Sequence, residues 1–124
     1  MLFRSVLQHA GMLEDLSPAG VNAWREGMKR LAGEPNIVVK LSAFGTFKHC
    51  NDPAHTAFMA GEAIAMFGAE RCMFGSNFPI EKLWTTYADV VTAHRQALAA
   101  LTPAAQRQVL HDTAARVYRL NVTS

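Results

Sequence analysis

The tightest constraint on this chain is the spacing of three short apolar runs. Ser5-Val6-Leu7-Gln8 ends at His9-Ala10-Gly11, Ile37-Val38-Val39-Lys40-Leu41-Ser42 ends near Gly45, and Cys72-Met73-Phe74-Gly75-Ser76 ends at Asn77-Phe78-Pro79. Apolar runs this short, bounded by glycine or proline, read as buried strands. They begin about 32 to 35 residues apart, the length of a strand-helix-strand unit.

Helical patterns fill the gaps. Val21, Trp24, Met28 and Leu31 fall on one face at spacings of three and four, before Gly33 and Pro35 stop the helix. Ala57, Ala60, Ile64 and Phe67 form a second stripe, closed by Gly68. Tyr87, Val91, His94, Leu98 and Leu101 form a third, and Leu110, Ala114 and Val117 mark a last helix. Ser17-Pro18, Asp52-Pro53 and Thr102-Pro103 each put a capping oxygen just before a proline. Proline suits the first helical turn because its missing N–H has no partner there.

The order is therefore β-α-β-α-β-α-α, and strands separated by helices run parallel. Three parallel strands suit a small open α/β sheet or part of a (β/α)8 barrel. A complete barrel takes roughly 200 residues or more, so 124 residues supply about three of its eight units. No glycine-rich phosphate loop is present.

Composition narrows the function classes. Half of the chain is hydrophobic and 18% is charged, against the pattern of a disordered tail. Lys plus Arg is 12 and Asp plus Glu is 10, scattered rather than clustered, so no nucleic-acid partner is expected. No stretch approaches the ~20 apolar residues of a membrane span. The first residues lack the apolar core and cleavage site of a signal peptide, and Cys50 and Cys72 do not make a disulfide scaffold. A cytoplasmic location with reduced thiols is the expectation.

In parallel α/β folds the reactive residues gather at the carboxyl ends of the strands. That rule selects His9, Lys40 to Ser42, and Ser76-Asn77. Each has a plain alternative. His9 fits a hydrogen-bonded structural imidazole, and Asn77 fits a turn. Lys40 either faces the interior or marks a solvent-facing side, as a snorkelling lysine.

These residues bring a family into view. His9-Ala10-Gly11-Met12, Ser17-Pro18 leading into Trp24-Arg25, Val39-Lys40-Leu41-Ser42, Arg71 through Pro79, and the closing Thr113-Ala114-Ala115-Arg116-Val117-Tyr118-Arg119-Leu120 resemble the amidohydrolase-related family. This is the branch of metal-dependent TIM-barrel hydrolases that includes 2-pyrone-4,6-dicarboxylate lactonase and sugar-lactone hydrolases. The resemblance covers Val6 to Leu120. It implies a single partial domain over 1–124: strands six to eight of the barrel plus a C-terminal helix.

By that resemblance His9 matches the strand-six histidine, a metal ligand or a group that polarises the reacting carbonyl. Lys40 and Ser42 would bind substrate, with Lys40 pairing a substrate carboxylate. Asn77 falls where many members carry the strand-eight Asp, which accepts a proton from the attacking water. A carboxamide has no basic site near neutral pH, so Asn77 would orient a water or substrate by hydrogen bonding. The implied reaction is hydrolysis of a lactone or other cyclic ester of a small carboxylate or sugar acid.

The family places a His-x-His pair on its first strand. The histidines here are His9, His49, His55, His94 and His111, with no such pair. A catalytic zinc takes about three protein ligands, and the strand ends offer one. The expectation is one divalent metal, zinc or manganese, in the intact enzyme, with none bound by this chain alone and little catalysis from it. The alternative is a non-catalytic partial fold, or a binding partner for a complementary half-barrel.

The loop Lys48-His49-Cys50-Asn51-Asp52-Pro53-Ala54-His55 gathers ligand-type residues without standard zinc spacing, and reads as a polar loop with Asp52 as a helix cap. Phe44 and Phe47 suit either a pocket lining or loop packing. His94 reads as a core-edge residue, and His111 has no obvious partner. Leu2-Phe3-Arg4-Ser5 matches the translated end of a common sequencing adapter, so residues 1–5 are expected to be non-native and the reading frame clipped. Three strands with unpaired edges and an open inner face should self-associate.

Overall fold

The structure, a computed structural model, describes residues 4–121. The expectation of a non-native start falls mostly on residues 1–3, which lie outside the described residues. Three strands, β1 (Ser5–Leu7), β2 (Ile37–Leu41) and β3 (Cys72–Phe74), form one parallel sheet in the order β1-β2-β3. The register pairs Leu7 with Val39, Val39 with Cys72, and Lys40 with Met73. α1 (Pro18–Ala32) joins β1 to β2, and α2 (Pro53–Phe67) joins β2 to β3. α3 (Tyr87–Leu98), α4 (Pro103–Arg107) and α5 (Thr113–Val117) follow.

All three expected caps form. The Ser17 hydroxyl accepts from Gly20 N at 3.1 Å, the Asp52 carboxylate from Ala54 N and His55 N at 3.1 and 3.2 Å, and Thr102 from Ala105 N at 3.1 Å. Thr86 caps α3 in the same way at Asp89 N. It lacks the following proline that marks the other three.

One hydrophobic cluster joins the helices to the sheet. Trp24 and Met28 of α1, Met59, Ala63 and Phe67 of α2, and Leu98 of α3 pack with Val39, Leu41 and Cys72. Strand side chains alternate between faces, so Val38, Lys40, Ser42 and Met73 lie on the opposite face. The sequence reading leaves that face open, yet Val38, Ser42 and Met73 are buried. The half-buried Lys40 lays its stem against Gly75, where an added Cβ would come within 2.6 Å of its Cε. Lys40 therefore faces across the sheet end rather than outward.

Other expectations shift by a residue or two. Each strand is shorter than its apolar run, because the chain leaves the sheet in left-handed backbone at His9, Ala43 and Asn77. Ala57 and Tyr87 are exposed; in α3 the expected His94 and Leu98 are buried, joined by Val90 and Ala93, while Val91 is half-buried. The expected single tail helix is divided by a π-helical turn at Gln108–Asp112. That turn still carries the chain to Thr113, whose buried hydroxyl donates to Ala69 O at 3.1 Å.

Arg71 closes the layers together. Its guanidinium donates to Ile37 O and Ala32 O, both at 3.0 Å, and to Glu34 O at 2.6 Å, and it lies 5.0 Å over the Phe67 ring. One side chain thus satisfies the carbonyl end of α1 and the entry to β2.

Candidate active site

The carboxyl ends of the three strands share an unusual backbone. His9, Ala10 and Met12 after β1, Ala43 after β2 and Asn77 after β3 all have φ between 47° and 61°. Left-handed backbone costs a non-glycine residue roughly 1–2 kcal/mol; asparagine tolerates it best, which accounts for Asn77 as a turn residue. Such strain tends to cluster at functional sites.

Two of the sequence-selected residues meet directly. His9 Nδ1 lies 2.7 Å from the Ser42 hydroxyl, joining the ends of β1 and β2. If Ser42 donates to Nδ1, the outer Nε2 carries a proton and can donate to a carbonyl oxygen. In the other tautomer Nε2 presents a lone pair. Burial lowers the His9 pKa most, the Lys40 ammonium lowers it further, and the Glu81 carboxylate opposes both. The neutral imidazole is thus the favoured form at neutral pH. Lys40 and Ser42 both crowd Gly75, just beyond β3, at 2.6 and 3.0 Å from where its Cβ would stand.

Asn77 is linked to this group less directly. Its Nδ2 donates to Glu81 Oε1 at 3.5 Å. Glu81, only 3% exposed, is the residue that the strand-end rule misses, because it sits on the turn Ile80–Leu83 beyond β3. The signal in the sequence is a single carboxylate within the otherwise apolar and basic stretch from Phe78 to Trp84. Its other oxygen accepts from the Trp84 indole N–H.

Beside His9 lies a cavity of about 80 Å³, room for a few waters, lined by Leu13, Phe44, Phe47, His55 and Met59. Phe44 and Phe47 therefore do line a pocket. The ligand-type loop is engaged otherwise: Lys48 pairs with Asp52 at 2.5 Å, His49 stacks on Trp84 with ring centroids 5.3 Å apart, and His55 meets Phe44 edge-on. His94 is buried between Phe44 and Phe74, its Nδ1 on Val90 O at 2.9 Å. His111, expected to lack a partner, has Asp112 Oδ1 at 2.7 Å from its Nδ1. Burial pushes the Cys72 thiol up to about 12, so it stays protonated and inert.

Among the described residues, no group of three or more His, Cys, Asp and Glu side chains is placed to hold a metal ion. His9 Nε2 offers one donor where a catalytic zinc takes about three. The residues here do not by themselves fit a metal centre. Among the described residues, no helix is long and apolar enough to cross a membrane.

A parallel α/β sheet with polar side chains meeting at its strand ends is the setting in which α/β proteins place their sites, and comparison gives the family. The amidohydrolase family model matches residues 3–120, and the chain belongs to that family. It is 35% identical over 115 residues to the uncharacterised protein y4mH of Sinorhizobium fredii, covering 93% of this chain and 38% of that protein. It is 32% identical, over a 126-residue alignment, to L-fucono-1,5-lactonase of Burkholderia multivorans, covering 93% of this chain and 43% of the lactonase. The crystal structure of a Burkholderia multivorans amidohydrolase with bound zinc superposes with a TM-score of 0.85 at 29% identity, covering 93% of this chain and 43% of that one. The chain thus spans about two fifths of the length of the curated relatives it matches.

Proposed function

We propose that this chain forms the last three strand-helix units, strands six to eight, and the C-terminal helix of a (β/α)8-barrel hydrolase. The complete enzyme opens a lactone or other cyclic ester of a sugar acid or small carboxylate. The observation that carries this reading is the His9–Ser42 hydrogen bond, with Lys40 drawn across Gly75 beside it. The ends of β1 and β2 contribute to one polar cluster against the backbone just beyond β3, at the end where barrel enzymes do chemistry. The likeness to a sugar-acid lactonase supports the substrate class.

In this reading the ring carbonyl of the lactone accepts a hydrogen bond from His9 Nε2–H, which polarises it toward attack. Lys40 pairs with the carboxylate of a substrate that carries one, or donates to a ring hydroxyl of a sugar lactone, and Ser42 fixes the imidazole and the substrate edge. Asn77 orients the attacking water. Water adds to the acyl carbon, the ring C–O bond breaks, and the proton that water gives up passes through solvent to the leaving ring oxygen, giving the open hydroxy acid. The carboxamide of Asn77 holds that water without taking its proton. A divalent metal, zinc or manganese, would draw its remaining donors from outside these residues, and no step here is routed through it. The isolated chain is accordingly a poor catalyst.

The test grafts this chain in place of the corresponding part of the Burkholderia lactonase. Sugar-lactone opening is followed by acid release, in the graft and in its His9→Ala variant, beside the isolated chain. The expected result is turnover in the graft and a loss of about 100-fold or more in the variant, the size of one lost carbonyl-polarising donor. Equal turnover with and without the imidazole would overturn the role of His9.

A further inference from the structure

Among the described residues Glu81 is the one buried carboxylate. An ionised group out of water needs hydrogen-bonding partners, and two donors face this one: the Trp84 indole N–H on Oε2 and the Asn77 Nδ2 on Oε1. The backbone closes the same turn, since Glu81 N donates to Asn77 O at 3.0 Å. The seat is tight on its far side as well. A Cβ on Gly45 would come within 3.1 Å of Glu81 Oε2 and 2.9 Å of Trp84 Nε1. The loop after β2 therefore comes against the pair with no side chain of its own.

We infer that Glu81 is a positioning residue: its buried carboxylate holds the Asn77 amide nitrogen inward and so turns the Asn77 Oδ1 outward, toward the strand ends, as a fixed acceptor. The chemistry forces the direction. An ionised carboxylate only accepts, so of the two ends of a carboxamide only the NH2 can face it. An Oδ1 so fixed accepts the O–H of a water or substrate hydroxyl and leaves that oxygen's other lone pair free. The use of Oδ1 rests on the proposed role of Asn77; its orientation does not.

The orientation is tested without turnover. Asn77→Asp sets two carboxylates face to face, and adding Glu81→Gln restores one donor and one acceptor with the roles exchanged. In urea unfolding at pH 7, Asn77→Asp should lower the midpoint, and the double variant should recover more than half of that loss. Additive losses would overturn the inference. In the nitrogen-15 spectrum, the Asn77 side-chain amide pair should shift on Glu81→Gln, while the remote Gln106 pair, which donates to Leu101 O, stays in place. An unmoved Asn77 pair would overturn it too, even if Asn77→Asp failed to fold. Neither readout needs lactone hydrolysis, so this inference and the proposed reaction can fail separately.

Discussion

The Lys40 stem and Gly75 occupy one another's space: a methyl group on Gly75 would stand 2.6 Å from Lys40 Cε, 3.2 Å from its Cγ and 3.0 Å from Ser42 Cβ. The residue just beyond β3 is glycine because the Lys40 side chain of β2 crosses it. Gly75→Ala should therefore destabilise the fold by roughly 1–3 kcal/mol through overpacking. Removing the obstruction with Lys40→Ala in the same molecule should return much of the loss. Denaturant midpoints of the two single variants and the double variant check this, and a Gly75→Ala variant as stable as the parent would contradict it.

Arg71 is the second place where one residue fastens several segments. Lysine carries a single ammonium and lacks the planar fork that reaches Ile37 O, Ala32 O and Glu34 O together. Arg71→Lys should lower stability by about 2 kcal/mol, since hydrogen bonds from charged groups contribute about 1.5–3 kcal/mol each and the site is only half-buried. Urea unfolding of the variant measures it.

Stability should also fall on mild acidification. Burial is the largest cause lowering the pKa of His9, His55 and His94; Lys48 adds to it at His55, and hydrogen bonds to backbone carbonyls oppose it at His94. The unfolded chain takes up protons on these rings near the ordinary value of about 6.5, before the folded chain does. Stability from this source is complete above that pH and is lost as pH falls through the lowered folded values. The unfolding midpoint should drop between pH 7 and 5.5, and His94→Gln should flatten that slope whatever its effect at pH 7. Asp52, held low first by its hydrogen bond from Lys48, belongs to a separate and more acidic window.

The legibility of this chain in its sequence was uneven for physical reasons. Helix starts were readable because Ser17, Asp52 and Thr102 act on backbone within three residues of themselves. The strand-end rule found His9, Lys40 and Ser42 because a parallel sheet brings its carboxyl ends to one side. Glu81 escaped it because its burial depends on Trp84 and on a glycine in a loop 36 residues earlier, a contact that no local pattern announces. The interrupted tail helix escaped for a related reason. The π turn at Gln108–Asp112 lies between two helical segments of ordinary composition, and β3 packs against it.

Self-association is the remaining expectation. β1 and β3 are the outer strands of the described sheet, and Leu83 and Ile80 stand 80% and 52% exposed near the site. Unpaired strand edges beside exposed apolar side chains are sites of chain-to-chain pairing. Sedimentation velocity over a hundredfold concentration range should show growing oligomers. A single monomer boundary throughout would count against it.

The bare backbone at Gly45 is where the loop after β2 and the turn after β3 close on one another. Any Cβ there would stand 2.5 Å from the Cys50 carbonyl oxygen before it met the indole at 84 or the carboxylate at 81, so its own loop bars a side chain as firmly as that pair does. Discarding the acid alone would leave the position as closed as before, because a neighbouring peptide oxygen, rather than a replaceable side chain, is the first wall a methyl group would strike.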